Sequence, residues 1–208
     1  MSLLREVMVT SLKFFYGFTS SYGLAIIFLT MAIRLLLYPL FASQTKTAAV
    51  MKELQPKLAE LQAKYKSKPE EYQKKMMELY KEHKINPLGG CLPMLIQLPF
   101  LWALFQVLGT FQFGQEKFLG LWILNKPDSF YILPILAGVT TYIQMAMTTT
   151  DPSQRAMTMI MPIFIAWMSL KFAAGLTIYW VVSNIFSIGQ QYITNRQLAA
   201  RQEGGKAK

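Results

Sequence analysis

Long apolar runs alternate with short polar segments along this chain of 208 residues. Five runs approach the length of a membrane-spanning helix, since about 20 residues at a rise of roughly 1.5 Å cover the hydrocarbon layer of a bilayer. The predicted spans are 22–42, 90–111, 130–148, 156–171 and 175–193. The last two are joined by so short a connection that they must be antiparallel. The pattern therefore predicts an all-α membrane protein with five transmembrane helices.

Residues 2–20 have a different pattern, with apolar side chains on one helical face and charged side chains on the other. The apolar positions are Leu4, Met8, Leu12 and Phe15, and Glu6 and Lys13 fall on the opposite face. Such a segment is too polar to span a bilayer and is typical of a helix lying in the membrane interface. The same charges make it unlike a cleavable signal peptide.

The segment 44–86 is strongly charged, with ten Lys and six Glu residues. Two apolar stripes at helical spacing run through it, the first at Leu54, Leu58, Leu61 and Tyr65 and the second at Tyr72, Met76, Leu79 and Tyr80. Between the stripes, Ser67 is a candidate helix cap that Glu70 would complete, and Pro69 suits a first helical turn. We expect a solvent-exposed helical hairpin whose two helices meet along one narrow apolar seam.

Three connecting segments complete the organisation of this single domain, 1–208. A loop covers 112–129, a short turn covers 149–155, and a basic tail covers 194–208. The hairpin and tail together carry fourteen Lys and Arg residues and the turn adds one, whereas the segments on the other side carry five. Because basic residues accumulate on the cytoplasmic side, we expect a cytoplasmic hairpin and C-terminus and an N-terminus outside.

Composition excludes several classes of function. The chain is 53% apolar and 15% charged, and its net charge of +10 lies mainly beside the apolar runs. Membrane topology explains that charge more simply than sequence-specific nucleic-acid binding does. One cysteine, Cys91, and one histidine, His83, give no basis for a disulfide or for a metal site of His and Cys ligands. No nucleotide-binding loop or catalytic dyad is readable, so we expect neither a cofactor nor an enzyme.

Arg34 is the most informative single residue. It lies about eight residues, or roughly 12 Å, inside the cytoplasmic end of the first predicted span. An arginine cannot reach the interface over all of that distance, and a charge at such depth costs at least about 2.5–3.5 kcal/mol. All eleven Asp and Glu residues lie outside the five predicted spans. We therefore expect the guanidinium to face a water-filled cavity lined by neutral polar groups.

Neutral polar residues at helical spacing offer such a lining. Candidate lining positions are Thr30, Gln97, Thr141, Gln144, Thr148, Trp180, Ser183, Asn184, Ser187 and Gln191. We single out Arg34, Thr30, Gln97, Gln144, Trp180, Ser183 and Asn184 as the predicted groove. For any one Gln or Ser, the simpler interpretation is a hydrogen bond that only holds two helices together.

Two motifs stand out in the second and last predicted spans. The first is the run 86–93, Asn-Pro-Leu-Gly-Gly-Cys-Leu-Pro, followed by Gln97-Leu98-Pro99. The second is the run 175–180, Gly-Leu-Thr-Ile-Tyr-Trp, with Asn184 and Gln190-Gln191. They resemble the second-span signature and the last-span motif of YidC-type membrane protein insertases, the Oxa/Alb superfamily. Arg34 matches the family's groove arginine, and the resemblance covers essentially the whole chain.

This resemblance implies a five-helix core with a hydrophilic groove that is open to the cytoplasm and to lipid and closed toward the outside. It implies a membrane protein insertase and chaperone in the bacterial inner membrane that receives hydrophilic client segments and releases apolar segments laterally. Client membrane proteins and the lipid bilayer would be its partners. The Sec translocon, the signal recognition machinery and the ribosome are further candidate partners.

Two other classes of function stay open. In a small anion transporter or channel, Arg34 would bind the solute, although no internal repeat with paired broken helices is evident. In a non-catalytic scaffold for membrane complexes, Arg34 would be dispensable and the helix surfaces would matter. A groove closed outward and open to lipid would distinguish an insertase from a transporter, whose cavity should be enclosed.

Overall fold

The computed structural model describes residues 2–39, 42, 47, 50–51, 53–83, 98–99, 102–107, 113, 117–149 and 155–206. Its helices are α1 (Ser2–Thr19), α2 (Tyr22–Leu36), α3 (Gln55–Lys64), α4 (Pro69–Glu82), α5 (Ile132–Thr148), α6 (Arg155–Ser169) and α7 (Ala174–Lys206). Residues 102–107 are also helical. Two short strands, β1 (Lys117–Phe118) and β2 (Trp122–Ile123), separate the helices of the first and second halves of the chain.

The amphipathic segment forms α1, which packs against α2. Met8 and Leu12 are 3% and 1% exposed and belong to the same apolar core as Ala25 and Ile26 of α2. Phe18, on the other face, is 77% exposed. Apolar burial on one face thus explains why this segment is helical. The predicted stripe position Leu4 lies outside the described side chains.

α5, α6 and α7 form the most extensively packed group of helices. α5 contacts both α6 and α7, and α2 also packs against α7. At the α5–α6 crossing, a Cβ on Gly138 would lie 3.0 Å from the Ala166 Cβ and 3.2 Å from the Pro162 carbonyl oxygen. Small residues allow helix backbones to approach closely in this way. This packing brings the polar faces of α5 and α7 together.

The predicted loop 112–129 contains a β-hairpin, which departs from the all-helical prediction. Lys117 pairs with Ile123 and Phe118 with Trp122, and the turn between the strands includes Gly120 at φ +72°. The chain after β2 is tied to the start of α7, where Gly175 N donates to Leu124 O at 3.0 Å. We call the end of the bundle that contains the β-hairpin, the turn before α5 and the α6–α7 connection the loop end.

α3 and α4 form the charged hairpin and bury few residues between them. Leu54, Leu58 and Tyr80 are 3%, 9% and 5% exposed and form a separate small cluster. The predicted Ser67 cap is wrong: the N-cap of α4 is Lys68, without a side-chain capping bond, and Pro69 occupies the first turn. A proline there leaves no backbone N–H to satisfy at that position, which lowers the need for a side-chain cap.

α7 is a single helix of 33 residues that includes both the fifth predicted span and most of the predicted basic tail. Much of the second predicted span, residues 90–97, lies outside the described residues, as does most of the predicted turn 149–155. The prediction of a helical protein is confirmed at the level of a mostly helical fold.

Within the part of the chain that the structure describes, no helix combines the length and the apolar character needed to cross a membrane. The five membrane spans and the groove they would enclose stay a prediction.

Candidate functional site

Arg34 lies in the last turn of α2 and is 9% exposed. Thr30, one turn earlier on the same face, is 1% exposed and donates its hydroxyl to Ile26 O at 2.6 Å. Helix α7 packs against α2, and its Tyr179 lies within range of an electrostatic interaction with the guanidinium. A buried cation therefore lies near a phenol on the neighbouring helix. The wide aqueous cavity that we expect around Arg34 stays a prediction.

A polar cluster joins α5 to α7, and we call its four members, Thr140, Thr141, Trp180 and Asn184, the α5–α7 polar cluster. Trp180 Nε1 donates to Thr141 Oγ1 at 3.0 Å. The Asn184 side-chain amide lies 3.1 Å from Thr140 Oγ1 and 2.9 Å from Thr141 Oγ1. Both threonines and Asn184 are buried. The cluster therefore places hydrogen-bonding groups in the interior of the helix bundle.

The other predicted groove residues have different surroundings. Ser183 is 4% exposed, and its Oγ has no hydrogen-bond partner among the described atoms. A buried hydroxyl without a partner is uncommon, and a bound water molecule would satisfy it. Gln144 is half-buried on α5, where its backbone carbonyl accepts from Thr148 Oγ1 at 3.0 Å. Gln97 lies outside the described residues.

Three contacting residues were not among those singled out from the sequence. Thr140 contacts Asn184, and Tyr179 is the electrostatic neighbour of Arg34. Gln190 Nε2 donates to Tyr38 O at 3.4 Å and so links α7 to the segment after α2. Thr140 could have been found because it lies one helical turn before Gln144. Tyr179 and Gln190 belong to the resembling motif but gave no separate signal of their contacts.

An apolar cavity of about 350 Å³ lies beside the polar cluster. Its walls come from Leu98, Trp102 and Phe105, from the end of α6 and from the start of α7, and include Ile165 and Leu176. Trp180 lines the cavity and also donates from its indole to Thr141. One side chain therefore borders both an apolar space and a polar cluster.

Within the described residues, no group of three His, Cys, Asp or Glu side chains could hold a metal ion. The chemistry available at this site consists of one buried cation, hydroxyl and amide hydrogen bonds, and apolar surface. These groups can attract an anion, form hydrogen bonds and contact apolar surface.

The family model of the 60Kd inner membrane protein matches residues 14–202. A protein named "Membrane protein insertase YidC" from Caldanaerobacter subterraneus is 47% identical over 187 residues, covering 89% of this chain and 91% of the relative. A protein of the same name from Geobacter sulfurreducens is 43% identical over 203 residues, which are 95% of this chain and 38% of the relative.

A solved structure described as an active YidC insertase with its first transmembrane domain resolved is also similar. It superimposes with a TM-score of 0.75 at 27% sequence identity, covering 90% of this chain and 46% of that one. The chain thus spans nearly all of one curated relative, and less than half of the other relative and of the solved structure.

Proposed function

The chain belongs to the 60Kd inner membrane protein family of bacteria, and we propose that it inserts client membrane proteins into the inner membrane and helps them to fold. The names of its relatives, which are up to 47% identical, support this activity. Client membrane proteins and the lipid bilayer are the partners that this activity requires. The Sec translocon, the signal recognition machinery and the ribosome would be partners for delivering clients.

Five membrane spans would form the core of the insertase, with the α3–α4 hairpin and the C-terminus in the cytoplasm and the N-terminus outside. Arg34, Thr30, Gln97, Gln144, Trp180, Ser183 and Asn184 would line a hydrophilic groove. A polar client segment loses its hydration when it enters hydrocarbon, and polar groups in the groove replace part of it. The groove would thereby lower the barrier to moving that segment partway across the membrane.

The observation that carries this proposal is the position of Trp180. Its indole nitrogen belongs to the α5–α7 polar cluster, and its ring lines the apolar cavity at the end of α6. A client that enters this region would meet hydrogen-bonding groups and apolar surface within the width of one side chain. Its hydrophilic part could stay with the polar groups while its apolar part leaves sideways into lipid, driven by the burial of apolar surface. Chemical catalysis is not needed for such a step.

Reconstitution of the purified chain into liposomes tests the proposal. A short client with one apolar span should acquire protease protection in these liposomes and not in liposomes without the protein. Gly189→Ala is a control variant, because Gly189 lies on α7 and nothing lies within 4 Å of its added Cβ among the described residues. This variant should keep full insertion. If empty liposomes insert the client equally well, the chain acts as a scaffold at most, and anion flux without insertion would indicate a transporter.

A further inference from the structure

Two large side chains at the loop end have a backbone conformation that favours glycine or asparagine. Leu119 has φ +53° and Tyr131 has φ +61°. Non-glycine residues rarely adopt this left-handed region, because the Cβ approaches the backbone. Hydrogen bonds within the two turns set these backbone conformations, as between Leu121 N and Phe118 O at 3.1 Å. The two side chains are nevertheless 71% and 59% exposed, so little of their apolar surface is buried inside the described protein. A contact made outside the chain would bury it.

The backbone around Tyr131 is held firmly by a buried carboxylate. Asp128 is 5% exposed, and its Oδ1 and Oδ2 accept from Phe130 N at 2.8 Å and Leu133 N at 2.7 Å. These bonds fix the turn that leads into α5. Phe130 is 55% exposed beside Tyr131. The turn therefore presents two aromatic side chains outward from a rigid base.

The tip of the β-hairpin is held in a similar way. The Phe118 ring lies directly on Gly23 of α2, in space that a Cβ at position 23 would occupy. Leu119 and Leu121 project from the turn that follows, and Leu121 is 43% exposed. We define Leu119, Leu121, Phe130 and Tyr131 as the apolar tip.

The charges at the loop end identify what covers the apolar tip. Lys117, Lys126 and Lys171 are exposed there, and Lys171 Nζ lies 5.2 Å from the Trp167 ring centroid. The carboxylate described at this end, Asp128, is buried and hydrogen-bonded to the backbone N–H groups of Phe130 and Leu133. Apolar and aromatic side chains beside lysines complement a phospholipid surface, where phosphates lie next to acyl carbons.

We propose that the apolar tip docks into the headgroup–acyl boundary of the lipid leaflet at the loop end. Docking there would fix the depth of the hairpin and of the helix ends attached to it. This inference rests on the proposed membrane location of the chain, but it concerns a surface outside the groove.

The test uses single-cysteine variants that carry an environment-sensitive fluorophore, in a background with Cys91→Ser and in phospholipid nanodiscs holding one protomer. Leu119→Cys reports on the tip, and Lys66→Cys reports on the turn between α3 and α4. Ile163→Cys reports on α6, where the Ile163 side chain is 71% exposed. Each is quenched with lipids labelled near the headgroup or near the end of the acyl chain. The tip should be quenched most by the headgroup-proximal label, α6 by the deeper label, and position 66 by neither.

Asparagine at the strained positions separates an anchor from a merely structural turn. Asparagine suits a positive φ, so a purely structural role predicts that Leu119→Asn and Tyr131→Asn leave the tip in place. The anchor predicts that this double variant, labelled through Leu121→Cys, loses most of its quenching by the headgroup-proximal lipid. Labelled Leu121→Cys with residues 119 and 131 unchanged is the control.

The outcomes distinguish this inference from the proposed function. Quenching at position 163 without quenching at 119 would overturn the anchor and leave the membrane location intact. Absence of quenching at both would overturn both. A shielded fluorophore at 119 that responds to neither lipid label would show that protein covers the tip, which also overturns the anchor.

Discussion

At the scale of single residues, Asn184 carries most of the contact between the polar faces of α5 and α7. Its amide reaches two threonine hydroxyls on α5 at 3.1 and 2.9 Å. Removal of the amide deprives both buried hydroxyls of this contact, and Thr141 then keeps Trp180 Nε1 as its partner on α7. In a membrane, one interhelical hydrogen bond contributes at most about 1–2 kcal/mol to the stability of the fold.

We therefore expect Asn184→Ala to lower the free energy of unfolding by about 1–2 kcal/mol. The measurement is the midpoint of thermal unfolding in lipid or mild detergent. Ser187→Ala is the comparison, because the hydrogen bond of its hydroxyl in the described part of the chain stays within α7, at Ser183 O. Equal midpoints for the two variants would show that the α5–α7 polar cluster does not stabilise the fold.

Gly23 tests the contact between α2 and the β-hairpin. A methyl group at this position would overlap the Phe118 ring. Gly23→Ala should destabilise the protein by about 1–3 kcal/mol, the usual cost of overpacking. Gly17→Ala and Gly189→Ala are matched controls, since both residues are helical and nothing lies within 4 Å of their added Cβ atoms.

These controls should instead gain up to about 1 kcal/mol, because alanine is the better helix former. Unfolding in denaturant should show a lower free energy of unfolding for Gly23→Ala and a higher one for each control. A stabilising effect of Gly23→Ala would mean that the hairpin does not rest on α2 as described.

Glu78 on α4 gives a test based on pH. Lys75 Nζ donates to Glu78 Oε2 at 2.7 Å, which lowers the pKa of the Glu78 carboxyl below its ordinary value. The stabilising interaction is therefore fully present at pH values above the ordinary pKa of a glutamate. It is lost as the pH falls through the lowered pKa of Glu78. Both side chains are exposed, so the effect on stability is small. Titration of Glu78 by NMR should show a higher pKa in Lys75→Ala, and an unchanged value would contradict the contact.

At the scale of elements, the α3–α4 hairpin differs from the rest of the fold in how little it buries. Its cluster has three buried residues, whereas the main core includes buried residues from α1, α2, the β-hairpin region, α5 and α7. Local opening is easiest where few apolar contacts must be broken.

Amide hydrogen exchange in the lipid-reconstituted chain should therefore be faster in α3 and α4 than in α5 and α7. Leu58→Ala should accelerate exchange in both hairpin helices and leave α5 unchanged, since among the described residues Leu58 belongs to the small cluster and not to the main core. Equal protection of the hairpin and α5 would show that the seam is stronger than its buried area indicates.

Helical periodicity predicted the helices because their apolar faces repeat over many residues, as Met8 and Leu12 do in α1. The β-hairpin was missed, since strands of two residues are too short to show alternation. The contacts of the site had the same limit. A stripe such as Trp180, Ser183 and Asn184 can be read on one helix, but its partner Thr141 lies 39 residues away. Which helices meet depends on packing between elements.

At the scale of the whole molecule, the proposed function depends on whether the buried cation Arg34 can pair with the acidic groups of a client. Arg34 is 9% exposed in α2, beside Tyr179 of α7. A client with an acidic translocated tail must carry its carboxylates through a region where charge is costly. Transient pairing with Arg34 would offset part of that cost, by about 1 kcal/mol in a water-like environment and about 4 kcal/mol in a surface-like one.

The most direct measurement is the insertion of paired clients that differ only in the carboxylates of their translocated tails, by liposomes containing Arg34, Arg34→Lys or Arg34→Ala. We predict that Arg34→Ala impairs the insertion of clients with acidic tails far more than that of clients with neutral tails. Arg34→Lys should retain more activity than Arg34→Ala, because the charge remains although the two-pronged geometry is lost. Equal losses for acidic and neutral tails would contradict electrostatic attraction, and Arg34 would then serve the hydration or folding of the groove.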